Sequence, residues 1–338
     1  MNNKKWQLPF LLLLIIGSVF IIQRHRPHDV IFQHDEGTIF GTVWHATYQS
    51  DTSMHASIVS ALQQVDASLS MFNPKSTLSL INRNESSDVD SLLEVVFTQA
   101  QQISQATHGA FDVTVAPLVN AWGFGFKNGT MPDSTQVDSL LQFVGWQGVQ
   151  LSEGSLIKSD PRMVLDFSAI AKGFGVDQVA HLFRSRGIVN FMIEIGGEIV
   201  VSGNNPKGKN WSIGVNKPVD DSLSTNQEIE AVLQLTDCAM ATSGNYRNYY
   251  ISKDGRKLAH TIDPATGYPV QHSILSSTVL APTCAMADAF ATSFMVMGLD
   301  SAKSVLSSHP ELNAYFIYTN REGKYATWCS PTLEDRIK

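Results

Sequence analysis

DFSAIAKGFGVDQVAHLFRSRGIVNFMIEIGGEIVVSGNNPKGKNWSIGV, residues 166–215, decides the fold class. It reads as a strand end at Asp166, a helix that closes at Gly187, and then strand signals separated only by turns. Those strands are Phe191–Ile195, Ile199–Ser202 and Trp211–Val215. Downstream the same habit continues at Ala231–Leu235 and Ser276–Leu280, followed by a helix over Ala285–Met297. Ala314–Tyr318 and Tyr325–Trp328 make a closing hairpin. Upstream, the β-branched and aromatic residues of Thr38–Tyr48 predict one strand. Ile58, Ala61, Leu62, Val65 and Leu69 fall at helical spacing, and a second helix runs from Ser91 to about Thr107 with Gly109 near its C-cap. Strands and helices mix without a regular βαβ alternation, which predicts an α+β fold rather than a doubly wound sheet.

The 338 residues are 43% hydrophobic, enough for a sizeable core, and this excludes a disordered chain. With 24 basic against 31 acidic side chains the net charge is −7, which argues against a general nucleic-acid binder. Cys238, Cys284 and Cys329 are too widely spaced for a local zinc site. They read as buried small hydrophobes, and a disulfide between two of them stays open.

Lys4 and Lys5 precede an apolar run from Leu8 to Ile22 that is broken only by Pro9, Gly17 and Ser18. Its layout is that of an export signal, but no small-residue cleavage pattern follows, which favours an uncleaved membrane anchor over a cleaved signal. A polar, His-containing linker is expected from Arg24 to Asp35, and the chain divides into an anchor and linker at 1–28 and a single catalytic domain at 29–338.

Three constellations can carry chemistry. Asp288 and Thr292 stand i, i+4 on one face of the Ala285–Met297 helix. Together they are either hard oxygen ligands of the kind Mg²⁺ accepts or an ordinary capped helix start. The turn from Asp166 to Gly175 exposes backbone N–H groups beside Lys172, either as an anion site or as a tight turn with a surface lysine. His260 precedes the turn Asp263-Pro-Ala-Thr-Gly267, as a general base beside a carboxylate or as a strand-end histidine bonded to backbone. The Gly196–Gly197 pair permits close approach of a ligand, or marks a turn.

Taken in order, seven segments resemble the ApbE family of FAD:protein FMN transferases. They are LSMFNPKSTLSLIN (69–82), GAFDVTVAPLVNAWGFG (109–125), LDFSAIAKGFGVD (165–177), IEIGGEIVVSGNNPKGKNWSIGV (193–215), ATSGNYRNYY (241–250), HTIDPATGYPV (260–270) and VLAPTCAMADAFAT (279–292). The resemblance implies an α+β fold related to tunnelling-fold enzymes. It also implies a Mg²⁺-dependent reaction in which the FMN half of FAD passes to a Thr or Ser hydroxyl of a target protein and AMP leaves.

By the same resemblance the metal rests on Asp288, Thr292 and the backbone carbonyl of Ala169. FAD contacts fall on Phe40, Ser70, Met71, Phe72, Ala110, Phe111, Asp112, Asp166, Lys172 and Ile262. His260 is the implied catalytic base, and Asp263 is given a supporting role that alternates with stabilising its turn. The implied acceptor is a subunit of a membrane redox complex, with the enzyme at the bacterial inner membrane and its catalytic domain in the periplasm. Two departures stand out: Phe40-Gly41-Thr42 replaces the Met-Gly-Thr of many relatives, and no cysteine follows the apolar run for lipid attachment. The same residues would also serve an FAD pyrophosphatase, and a flavin-binding protein without turnover is the remaining alternative.

Overall fold

The computed structural model describes residues 31–126, 131–218, 228–245, 249–251, 257–271 and 273–338. The Leu8–Ile22 segment and the 1–28 division lie outside these residues. Among those described, no helix is long and apolar enough to cross a membrane.

Two tight hairpins shape one half of the main sheet. β1 (Phe32–Ile39) turns through Phe40–Gly41 into β2 (Thr42–Gln49), and β5 (Phe191–Ile195) turns through Gly196–Gly197 into β6 (Glu198–Ser202). The turn residues have φ of 52° and 74° in the first and 60° and 105° in the second. Two-residue loops follow the right-handed twist of their strands when both residues take such left-handed values. Between these hairpins in the chain lies the short pair β3 (Val149–Ser152) and β4 (Ser155–Lys158). The remaining strands are β7 (Trp211–Asn216), β8 (Ile229–Leu235), β9 (Cys238–Gly244), β10 (Tyr249–Ile251), β11 (Lys257–Ala259), β12 (Ile274–Ala281), β13 (Asn313–Thr319) and β14 (Tyr325–Cys329). Eight strands form one sheet in the order β1-β2-β5-β6-β9-β12-β13-β14, and each neighbouring pair is antiparallel.

The helices are α1 (His55–Leu69), α2 (Thr77–Asn82), α3 (Ser91–Ala106), α4 (Ala116–Ala121), α5 (Ser134–Leu141), α6 (Ala171–Ser185), α7 (Cys284–Met297) and α8 (Leu299–Ser308). α1, α6 and α7 pack on one face of the main sheet, whereas α4 and α5 pack together in a separate cluster around Leu118, Trp122 and Val137. Eleven of the 14 residues of α7 are buried, so it is the central helix, packed on β9 and β12 with α6 alongside. A helix that is apolar all round belongs inside a core. The opposite sheet face is covered by the separate β7–β8 hairpin, through a cluster that includes Trp211, Ile213, Leu233, Leu235, Met240 and Leu280.

α3 shows how one polar side chain ties elements together. Its N-cap Asp90 accepts from the N–H groups of Leu92 and Leu93 (both 3.0 Å), from Ser68 Oγ (2.7 Å) and from Thr77 Oγ1 (2.6 Å). Asp90→Ala removes the cap and strands two hydroxyls, so it should cost about 2 kcal/mol or more. A lowered denaturant midpoint with an unchanged fold by circular dichroism checks this.

The α+β expectation holds as a mixed structure with a wholly antiparallel main sheet, and the strands after Phe191 that the sequence predicts are present. Three local expectations are corrected. Thr38–Tyr48 is a hairpin rather than one strand, because Phe40 and Gly41 both take positive φ. The expected linker ends early, since β1 begins at Phe32 and the Asp35 carboxylate accepts from the Tyr48 hydroxyl. Asp166 lies in an irregular segment, not at a strand end; its N–H bonds to Val113 O, and its carboxylate accepts from Ser168 N (2.7 Å). The three cysteines are free thiols.

Candidate active site

At one end of the main sheet the β5–β6 turn, the C-terminal end of β9, the first turns of α6 and the middle of α7 meet in a cleft of about 700 Å³. Asp288 marks this cleft as a place for chemistry. It is 3% exposed in a helix otherwise buried by apolar contacts, and a carboxylate in such a place needs partners. One is the N–H of Gly173, 3.1 Å from Oδ2. A Cβ on Gly173 would lie 2.3 Å from the carbonyl oxygen of Cys284, so only glycine lets α6 approach α7 this closely. The contact is reciprocated: Asp177 of α6 accepts from Cys284 N (2.8 Å) and Ala285 N (2.9 Å) at the start of α7. Burial pushes the Asp177 carboxyl up to about 6 against those two hydrogen bonds.

Lys172 sits one residue before Gly173 and pairs with Glu198, the first residue of β6. Burial alone would lower the Lys172 pKa, but the carboxylates of Asp288 and Glu198 hold it above its usual value, so it is a fixed cation. Burial pushes the Glu198 carboxyl up against the pull of Lys172, and it pushes Asp288 up against Lys172 and the Gly173 N–H. The second oxygen of Glu198, Oε2, is buried without a hydrogen-bond partner among the described residues.

Thr292 lies one turn beyond Asp288 and shares a 3.0 Å hydrogen bond with Ser243 at the end of β9. Ala169, Asp288 and Thr292 all line the cleft. Among the described residues no three His, Cys, Asp or Glu side chains cluster as a metal site, and the oxygens that the resemblance assigns to a metal are one carboxylate, one hydroxyl and a backbone carbonyl on residues that line this cleft. That all-oxygen set fits Mg²⁺, which keeps few protein ligands and leaves its other positions to water and phosphate oxygens.

His260 also lines the cleft, half-buried, with its ring 6.3 Å from that of Phe124. Its segment is pinned by the turn behind it. Gly267 N bonds to Asp263 O (2.8 Å), Asp263 N to Tyr268 O (2.9 Å), and Trp122 Nε1 to Gly267 O (2.7 Å). Both oxygens of Asp263 serve that turn, accepting from Ala265 N (2.9 Å) and Thr266 Oγ1 (3.0 Å). Asp263 is not among the residues lining the cleft, so the turn-stabilising alternative describes its contacts.

Of the residues expected to touch FAD, Phe72, Ala110, Phe111, Asp112, Asp166, Lys172 and Ile262 line the cleft, whereas Phe40, Ser70 and Met71 do not. Phe40 packs over Gly175 in α6, whose added Cβ would lie 2.8 Å from the ring. Phe72 is 62% exposed at the cleft and stands edge-on to Phe126, with ring centroids 5.4 Å apart. Asp112 is held by Thr114 and the Trp146 N–H, and burial raises its pKa against those bonds. Sequence reasoning does not reach Glu198, Asp177 or Ser243. The only signal for Glu198 is its place immediately after Gly196–Gly197.

The profile of the ApbE family matches residues 40–316. The chain belongs to the ApbE family. It is 37% identical over 307 residues to the FAD:protein FMN transferase of Haemophilus influenzae, covering 85% of this chain and 86% of that one. The FAD:protein FMN transferase of Escherichia coli (strain K12) is 34% identical over 313 residues, covering 88% of this chain and 87% of its own length. The solved structure of the flavin transferase ApbE from Vibrio cholerae superposes with a TM-score of 0.81 at 32% identity, over 90% of this chain and 99% of that one. In this ApbE chain, the segments that carry Lys172, His260 and Asp288 all fall within the matched residues.

Proposed function

We propose that this protein transfers the FMN half of FAD to a Thr or Ser hydroxyl of an acceptor protein and releases AMP. The observation that carries the reading is the meeting of Asp288, Thr292, Ala169, Lys172 and His260 around one cleft in an ApbE chain. The hydroxyl oxygen attacks the FMN-side phosphorus, and the phosphodiester forms as the bond to the AMP phosphate breaks. Asp288, Thr292 and the Ala169 carbonyl would hold Mg²⁺, which would supply neutralisation of charge on the diphosphate.

The chain's own groups divide the remaining work. Lys172, kept cationic by Glu198 and Asp288, adds a fixed positive charge for the same diphosphate. His260 takes the proton of the incoming hydroxyl once that oxygen lies within about 3 Å of a ring nitrogen. Phe72 and Phe111 offer flat apolar surface to the flavin. We place the domain in the periplasm, tethered by Leu8–Ile22, with a subunit of a membrane redox complex as acceptor. The signal-like position and layout of Lys4, Lys5 and the apolar run support export.

AMP release from FAD, followed chromatographically with the acceptor protein and Mg²⁺ and again after EDTA, tests the reading. AMP that appears together with FMN-modified acceptor, both lost with EDTA, supports it, and undiminished release after EDTA, or AMP with an unmodified acceptor, contradicts it. His260→Ala should slow transfer by about 10²-fold or more while FAD affinity changes little. Equal losses of transfer and FAD affinity would make His260 a binding residue.

A further inference from the structure

The cleft has a wall that the expected FAD and metal contacts leave unused. Asp166, Lys172, Asp288 and Thr292 approach it from α6, α7 and the segment before α6. Ile199 and Met240 also line it, but they belong to the apolar cluster under the β7–β8 hairpin on the other sheet face. Gly214 and Asn216, near the C-terminal end of β7, complete this second wall.

The two edges of the β7–β8 hairpin differ. β8 is closed on its outer side by the chain end, through a bridge from Leu233 to Ile337 and a 2.9 Å bond from Lys338 N to Val232 O. β7 pairs with β8 alone among the described residues. An unpaired strand edge presents a row of backbone donors and acceptors to any extended chain beside it.

Gly214 adds a second, independent sign. Its φ lies outside the left-handed region, and the nearest atoms that a Cβ placed on it would meet among the described residues belong to the Ile229 side chain, at ordinary contact distances of 3.4–3.8 Å. Neither backbone conformation nor packing inside the hairpin therefore demands glycine. What its missing side chain does provide is open backbone where β7 borders the cleft.

We propose that the edge of β7 at Gly214 and Asn216, which has no strand partner among the described residues, binds an extended segment of the acceptor protein by strand addition and brings its hydroxyl into the cleft. This rests on the transferase reading, which requires a second, macromolecular substrate to reach the same cleft as FAD. Backbone pairing suits a protein segment, because it supplies affinity that depends little on sequence and leaves alternate side chains for selection. The continuity of this wall with the cleft that holds His260 and Asp288 lets one bound segment span from strand edge to reacting centre.

The test is Gly214→Leu in the full-length protein, with Gly214→Ala as the milder variant whose Cβ the hairpin accommodates. Adduct formation is measured against acceptor-protein concentration, FAD affinity by flavin fluorescence, and folding by circular dichroism. A rise of about tenfold or more in acceptor KM for Gly214→Leu, a smaller rise for Gly214→Ala and unchanged FAD affinity are expected. An unchanged acceptor KM in both variants, or a parallel loss of FAD affinity, overturns the site while leaving the transferase reading standing. A wild-type enzyme that binds FAD but forms no adduct overturns the two together.

Discussion

Asp288→Ala is expected to reduce FMN transfer by about a thousandfold, equivalent to roughly 4 kcal/mol of transition-state stabilisation, while the protein still folds. Asp288 is the one carboxylate in the proposed donor set, so its loss leaves only a hydroxyl and a carbonyl to hold a divalent cation. The fold tolerates the change because Lys172 retains its pair with Glu198. Among the described residues, the hydrogen-bond donor left bare is the Gly173 N–H. Transfer rates across a Mg²⁺ titration, together with a thermal melt, check both halves. Wild-type turnover at ordinary Mg²⁺ would remove Asp288 from the metal site.

Gly173→Ala should be among the most damaging single-methyl changes in the chain. Alanine is the better helix former by up to about 1 kcal/mol, so propensity alone predicts stabilisation. Against that, the new Cβ would lie 2.3 Å from Cys284 O, 2.6 Å from Cys284 C and 2.9 Å from Ala285 N. These are backbone atoms and cannot rotate away. α6 and α7 must separate, which weakens both the Gly173–Asp288 bond and the two Asp177 bonds to the start of α7. The expected cost is about 3 kcal/mol, with most activity lost because Lys172 and Asp288 move apart. A denaturant midpoint and an AMP-release rate equal to wild type would show that the two helices are not locked as described.

The sequence discloses some elements and hides others for identifiable physical reasons. Strands β5, β12 and β13 carry β-branched and aromatic residues between turn signals, and the helix around Phe290 is long and apolar, so periodicity and composition suffice. β9 escapes such a reading because its residues, CAMATSG, are mostly small with weak strand propensity. Yet small side chains are what allow α7 to lie against the centre of the sheet. The first hairpin reads as one strand because a phenylalanine at positive φ has no sequence signature, and only Gly41 marks the turn.

The site is legible where chemistry and spacing coincide. Asp288 and Thr292 one helical turn apart, and Lys172 beside glycines at a helix start, stand out in the residues alone. Glu198 does not, because an acid after two glycines reads as a solvated turn residue. It is the fold of β6 beneath α6 that buries it against Lys172. For Asp263 the sequence leaves a supporting role beside His260 and a turn-stabilising role open, and its oxygens are engaged by Ala265 and Thr266 of the turn.

If FAD is split and its FMN half becomes covalently attached to protein, the attachment is visible as mass. The most direct measurement is the intact mass of an acceptor protein after incubation with the full-length enzyme, FAD and Mg²⁺. The expected result is a gain equal to FMN less one water on a single Thr or Ser, matched by AMP in solution and absent after EDTA. FAD bound without any AMP, or AMP and free FMN with an unmodified acceptor, would contradict the transfer.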